Sequence, residues 1–217
     1  MLAAYAHRKE VSRTGLPGAA ILSFPASAPP AQPLNVAQDS SIYEEGDDAV
    51  CYYRLVSGVV RTCRFSADGR RHIDAFYKPG EVFGIELGAE HHFSAEAVTD
   101  CVIIPCRRTS MEEAAALQQL YTYAMQQLER ARAHSQLLGR CSAAQRLAAF
   151  LLEIAAGRSS GEITLPMTRQ DIADFLGLTI ETVSRTLAQF EKNGVIRLRA
   201  ARLIELRNRM GLEELAA

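Results

Sequence analysis

The chain has 217 residues, 48% of them hydrophobic, with 24 Lys and Arg against 25 Asp and Glu. That composition supplies real apolar cores for one or two domains and excludes a disordered or low-complexity chain. No segment reaches the roughly 20 apolar residues of a membrane helix, and the apolar patch Ala19 to Phe24 is too short for a secretory signal. The chain therefore reads as cytoplasmic. The five cysteines, Cys51, Cys63, Cys101, Cys106 and Cys141, are odd in number and contain no C-x-x-C, so neither a disulfide framework nor a zinc ribbon is indicated.

Residues 1–33 lack periodicity, and Pro25, Pro29, Pro30 and Pro33 discourage any regular element, so an N-terminal arm is expected. From 34 to 108 turn signals recur at Gly46-Asp47, Gly58, Asp68-Gly69, Pro79-Gly80 and Gly88, the rhythm of a small all-β sandwich or barrel. Tyr52, Arg54 and Val56 alternate with Tyr53 and Leu55. Arg71 to Tyr77 reads as the hairpin partner of the strand before Asp68-Gly69. The tip of that hairpin carries Asp68, Arg70 and Arg71, polar groups expected to face outward. Val98 to Pro105 is almost continuously apolar and reads as a strand buried on both faces.

Two side-chain groups here invite chemistry. His91, His92 and Glu96 match half of a cupin metal site, but the second half is absent. Adjacent histidines on a strand point to opposite faces, so an exposed loop is the preferred reading and no metal is assigned. Cys101 and Cys106, five residues apart, should also face opposite ways. Cys106 precedes Arg107 and Arg108, positive neighbours able to lower a thiol pKa.

Residues 109–139 form the clearest long helix, with carboxylates in its first turn. Leu117, Tyr121, Ala124, Leu128, Ala131, Ser135 and Leu138 repeat at four- and three-residue steps, an a/d seam that predicts a homodimer. Ser142 with Gln145 starts the next helix, whose Leu147, Phe150, Leu151 and Ile154 face a core. Arg158 to Gly161 is a connection, and Ile163 to Leu165 a short strand.

The segment 140–217 carries the strongest motif. Thr168 and Asp171 make a capping box, and Ile172, Ala173, Phe175 and Leu176 give an apolar face. Gly177 can end that helix with φ > 0, and Thr179 can cap another. Ile180, Val183, Leu187 and Phe190 form the second helix's buried stripe, which leaves Glu181, Ser184, Arg185 and Gln189 outward. This is a helix-turn-helix. Asn193-Gly194 ends it, and Ile196 to Arg199 with Leu203 to Leu206 read as a hairpin wing. In such a unit the start of the second helix enters the DNA major groove. A glutamate there accepts from cytosine N4, and an arginine donates twice to guanine. Glu181, Ser184 and Arg185 are the candidate base readers, with Glu181 and Arg185 spaced to pair with each other. Thr168, Arg169, Thr179, Thr182 and Gln189 are candidates for the DNA backbone. From Gly139 to Arg209 there are 11 Lys/Arg against 7 Asp/Glu, a basic module on a mildly acidic body, which suits phosphate contact at one end.

The run MTRQDIADFLGLTIETVSRTLAQFEKNGVI resembles the DNA-binding signature of the Crp/Fnr superfamily, and its E-T-V-S-R resembles the Fnr and FixK branches. The stretches IYEEGDDA, LVSGVVR, YKPGEVFGIE and HHFSAEAVTD resemble the superfamily's sensor β-roll, with FGIELGAEHHFSAEA closest to FixK. The likeness runs from about Ser40 to the wing. It implies an α+β fold: a β-roll, a dimerisation helix and a winged helix-turn-helix. It also implies a homodimeric transcription activator, not an enzyme, that reads TTGA-type palindromes in double-stranded DNA. RNA polymerase is the implied partner of the Asp68, Arg70, Arg71 turn. The arm lacks the cysteine cluster of oxygen-sensing Fnr proteins, so no iron–sulfur cofactor is expected. Cyclic-nucleotide-binding relatives carry an Arg-Ser pair for the phosphate; here Phe93 precedes Ser94, which argues against that ligand. Some FixK relatives carry an oxidisable cysteine where Ser184 stands, a control this chain lacks. Two alternatives remain: an effector-gated regulator binding haem or a nucleotide in the roll, and a cupin-type metal enzyme.

Overall fold

The computed structural model describes residues 32–107, 114–140, 142–156 and 161–217. Residues 1–31 of the expected arm, the start of the long helix, Cys141 and most of the Arg158 to Gly161 connection lie outside them.

Among the described residues eight strands come before the first helix: β1 Leu34–Val36, β2 Ser41–Tyr43, β3 Cys51–Ser57, β4 Val60–Phe65, β5 Arg71–Tyr77, β6 Val82–Phe83, β7 Ser94–Ala97 and β8 Cys101–Arg107. They form two antiparallel four-stranded sheets, ordered β1-β8-β3-β6 and β2-β7-β4-β5. Leu55, Ile103 and Cys101 from one sheet meet Val60, Ala95 and Ala97 from the other. This is a β-roll closed over its own side chains. Aromatic rings pack beside these side chains. Tyr43 stacks on His91 with ring centroids 3.6 Å apart, and Phe83 lies 5.4 Å from Tyr53 and 5.5 Å from Tyr77.

Three expectations are corrected within the roll. The apolar run from Val98 is not one strand buried on both faces. A bend at 98–100 precedes β8, and β8 buries Cys101 and Ile103 inward while Val102 between them and Ile104 after them are half-exposed. His91 is not on an exposed loop: it is 3% exposed and belongs to the aromatic stack, whereas His92 points to solvent and meets Glu86 at 2.7 Å. Hydropathy alone ranks histidine with polar residues, but its flat ring packs as an aromatic when a tyrosine covers it. Cys106 lies against Tyr52, Val82 and Tyr123, on the opposite face from Cys101. Burial pushes its thiol up rather than down, outweighing the Tyr52 hydrogen bond and the nearby Arg54.

Helix α1, Ala114–Arg140, crosses the outside of the roll. Tyr123 buries itself against Tyr52 and Val82 and donates to the Val82 carbonyl at 3.2 Å, and Arg130 pairs with Glu81 at 2.7 Å. These residues are seven apart and define the helix's inward face. Helix α2, Ala143–Ala155, begins at Ser142, whose reciprocal capping box with Gln145 is formed as read from the sequence. It leads into β9 Glu162–Thr164, α3 Arg169–Leu176, α4 Ile180–Lys192, β10 Ile196–Ala200, β11 Leu203–Leu206 and α5 Arg209–Ala216. The sheet order is β10-β11-β9. Helix α5 was not anticipated, although Asn208 caps it through Gly211 and Leu212 is fully buried in the core.

The C-terminal core gathers Leu147, Leu151, Ile172, Leu176, Val183, Leu187 and Phe190 among others. Val98 belongs to it, and Val59 and Phe76 pack against it. The roll and the helical domain therefore share an apolar contact rather than meeting only through α1.

Candidate nucleic-acid interface

The unit α3–turn–α4 follows from local rules that the sequence spells out. Thr168 accepts from the Asp171 backbone amide, and the Asp171 carboxylate accepts from the Thr168 amide at 2.9 Å. Gly177 closes α3 in the left-handed region at φ 61°, where a side chain would be strained. Thr179 caps α4 by accepting from the Thr182 amide. Val183, Leu187 and Phe190 of α4 are buried at four- and three-residue spacing, whereas Ile180, expected in the same stripe, is 37% exposed at the first turn. That burial fixes the rotation of α4 about its own axis and turns the complementary face to solvent.

Glu181, Arg185 and Gln189 occupy the solvent face, and Ser184 is half-exposed beside them. The expected Glu181–Arg185 pair is not the contact made. Arg185 Nη2 instead lies 3.4 Å from Thr182 Oγ1. Glu181 is held ionised below the usual carboxylate range, first by a backbone amide hydrogen bond and then by the Thr179 hydroxyl. An exposed anion and an exposed guanidinium thus stand one turn apart, both able to reach a base edge. Arg169, from the start of α3, donates to Ser184 Oγ at 3.3 Å and so ties the two helices together. Thr168 and Thr179 are exposed at their helix starts, and Thr182 is half-buried. Gln189 donates to Asn193 at 2.8 Å, at the far end of α4. The wing adds Arg197, Arg199 and Arg202, which the sequence reading did not single out. Of these, Arg199 pairs with Glu205 and Arg202 reaches the Pro166 carbonyl. The periodic positive charge at 197 and 199 was the available signal.

Along α1 the seam residues Tyr121, Ala124, Leu128, Ala131 and Ser135 are exposed on the face away from Tyr123. Tyr121 is 66% and Leu128 41% exposed, with Met125 between them at 38%. Leu138 is half-buried and lies beside Gly177. The side chain of Leu117 lies outside the described residues.

At the hairpin tip, Asp68 and Arg70 are exposed and 3.3 Å apart. Arg71 does not join them. Its guanidinium turns back onto α3, with Nε 2.8 Å from Asp174 and Nη2 on Asp171. As the first residue of β5 it obeys strand alternation, and the buried carboxylates of α3 offer a better partner than water.

A β-roll joined by a long helix to a winged helix-turn-helix defines a DNA-binding transcription regulator, not an enzyme. Two family models match: a cyclic nucleotide-binding domain over residues 33–117 and a Crp-like helix-turn-helix domain over 145–215. The nitrogen fixation regulation protein FixK of Azorhizobium caulinodans is 44% identical over 87% of this chain and 84% of its own. That of Rhizobium meliloti is 42% identical over 76% of this chain and 78% of its own. The structure of FixK2 from Bradyrhizobium japonicum superposes with a TM-score of 0.82 at 40% identity, covering 86% of this chain and 98% of that one. The chain belongs to the Crp/Fnr family of transcription regulators and is FixK-like.

Proposed function

We propose that the chain is a cytoplasmic, homodimeric activator that reads TTGA-type palindromes through Glu181, Ser184 and Arg185 and needs neither an iron–sulfur cluster nor a ligand in the roll. The observation that carries this reading is the face of α4. A buried stripe turns an ionised glutamate, a serine and a guanidinium outward at the end of the helix that enters the groove. Thr168, Arg169, Thr179, Thr182 and Gln189 flank it as backbone contacts. The exposed stripe Tyr121, Ala124, Leu128, Ala131 on α1 supports a second copy there, with Leu117, Ser135 and Leu138 continuing the seam.

Ligand independence is supported by the roll's interior. Tyr43 stacks on His91, Phe83 and Tyr53 there, so these rings are engaged with one another. Ser94, where a phosphate would be expected to bind, already donates to Glu44 at 3.1 Å and accepts from the Glu45 amide. Arg61 is committed to carboxylates, and Arg64 lies 3.7 Å from Glu45.

The experiment is a selection from a random duplex pool by the purified chain, with no effector added. Enrichment of two inverted TTGA-type half-sites is expected. Recovery of a single half-site, or of no motif until a nucleotide is supplied, would overturn the reading.

A further inference from the structure

Helix α3 is gripped from both ends by the rest of the molecule. At its start, the outer face of the sheet β2-β7-β4-β5 presents Arg61 and Arg71. Arg61 sits opposite Glu96 in the β4–β7 register and bonds it through Nε at 2.8 Å, and its Nη1 reaches Asp171 at 3.0 Å. Arg71 bonds Asp171 and Asp174 and lies 4.0 Å from Glu96. The Asp171 side chain is only 2% exposed and that of Arg61 10%. Asp171 is also the carboxylate of the α3 capping box, so one residue starts the helix and docks it. At the other end, carbonyls of the last turn, which have no partner within the helix, are taken by other elements. His134 of α1 lies 2.8 Å from the Phe175 carbonyl and stacks on its ring at 4.2 Å. Arg146 of α2 donates to the Leu176 carbonyl at 3.0 Å and to the Leu138 carbonyl of α1 at 2.6 Å. Phe175 also meets Phe76 of β5 at 5.4 Å and Phe150 of α2 at 5.8 Å.

A buried ion network of this kind contributes little net stability, because desolvating the charges offsets their attraction. Its best-attested effect is to select one geometry over others of similar energy. Apolar contact between Phe76 and Phe175 tolerates sliding and rotation. The forked guanidiniums on two carboxylates one turn apart do not.

We propose that Arg61, Arg71, Asp171 and Asp174 are positioning residues for DNA recognition: they dock the roll on α3 and thereby fix the direction in which α4 is presented to the groove. α3 and α4 share one buried core through Ile172, Leu176, Val183 and Leu187. Holding α3 to the roll and α1 therefore holds the recognition helix at the angle a palindrome requires. The docking replaces an effector: the chain is set for DNA by its own side chains. The inference rests on the reading that α4 carries the base contacts.

The test uses the full-length chain with Arg71→Gln, Asp174→Asn and the double substitution. All three leave the Thr168–Asp171 cap and every proposed base reader in place. Binding is measured to a duplex with two inverted TTGA half-sites and to a random duplex at one salt concentration, beside thermal melting. Each single variant should weaken palindrome binding by roughly tenfold, as expected when a coupling network is cut. Random-duplex binding should stay within about twofold, since phosphate contact does not need two helices at fixed angles. The double variant should lose no more than Arg71→Gln alone, because Asp174 meets the roll through Arg71, which also holds Asp171. Wild-type palindrome affinity in both singles would overturn the proposal. So would equal losses on both duplexes, or a chain already unfolded at 37 °C, which would make the network a fold stabiliser instead. Arg185→Ala, run alongside, separates the two readings. Loss there with none in the docking variants removes only the docking role. No loss there removes the base-reading assignment.

Discussion

Arg185 and Glu181 differ in what their removal should do. A guanidinium bidentate to guanine contributes about 1–3 kcal/mol of discrimination against the wrong base. Arg185→Ala should therefore lose that much per half-site, chiefly by relaxing the preference at guanine. Glu181→Ala should relax the choice at the facing cytosine. Its hydrogen bonds at the helix start stabilise the helix, but the carboxylate is fully exposed, so the substitution should lower the melting temperature only slightly. Binding measured on a panel of single-base operator variants checks both. Equal losses on every variant would make these residues backbone contacts. Sequence spacing identified both side chains because solvent-facing positions on a helix follow from its period alone. It could not tell that Arg185 leans on Thr182 rather than Glu181, since rotamers are chosen by local geometry. Arg71 was misplaced for a related reason. Its partners, Asp171 and Asp174, lie about 100 positions away in the chain.

The elements around the turn are nearly all local in origin. Capping boxes at Thr168 and Ser142, the Thr179 cap and the glycine stop are each written within four residues. Gly177 is the sharpest case. A Cβ there would meet Arg146 Nη1 and Leu138 Cδ2 at 3.5 Å, ordinary contact, so space is not the obstacle. The obstacle is φ 61°, which costs an L-residue about 1–2 kcal/mol. Gly177→Ala should lower the melting temperature by about 2–4 °C for each kcal/mol lost. Gly177→Asn should recover part of it, because asparagine tolerates the left-handed region. Equal stability of all three proteins in thermal melts would show that the turn relaxes. The two faces of α1 were legible in a different way. The heptad stripe named the outward residues, but which face the roll would cover was settled by Tyr123 and Arg130 finding Val82 and Glu81.

At the scale of the whole molecule, two surfaces should act at once. Two half-sites about one helical turn apart require two recognition helices at a fixed separation. Leu128→Glu would bury a charge in the proposed seam, so sedimentation should shift toward monomer and palindrome affinity should fall with it. A dimer that survives the substitution moves the seam off this stripe. The exposed Asp68–Arg70 tip is the proposed polymerase contact. Substituting both residues should preserve promoter occupancy and reduce transcript. Transcript that follows occupancy in the variant would leave the tip an ordinary turn.

The sequence by itself determined the helix-turn-helix, its caps and turn, the outward face of α4, the hairpin rhythm of the roll and the seam pattern on α1. Each of these is encoded in residues close together in the chain, through helical or strand periodicity or through the conformational freedom of a single glycine. Only the tertiary structure decided that His91 is an interior ring, that Cys106 is shielded, that a fifth helix covers α2, and that the roll is tied to α3 through Arg61 and Arg71. Those outcomes depend on which distant groups arrive at the same place. A buried charge or ring takes its meaning from its partner, and no periodicity in a single segment specifies a partner 100 residues away.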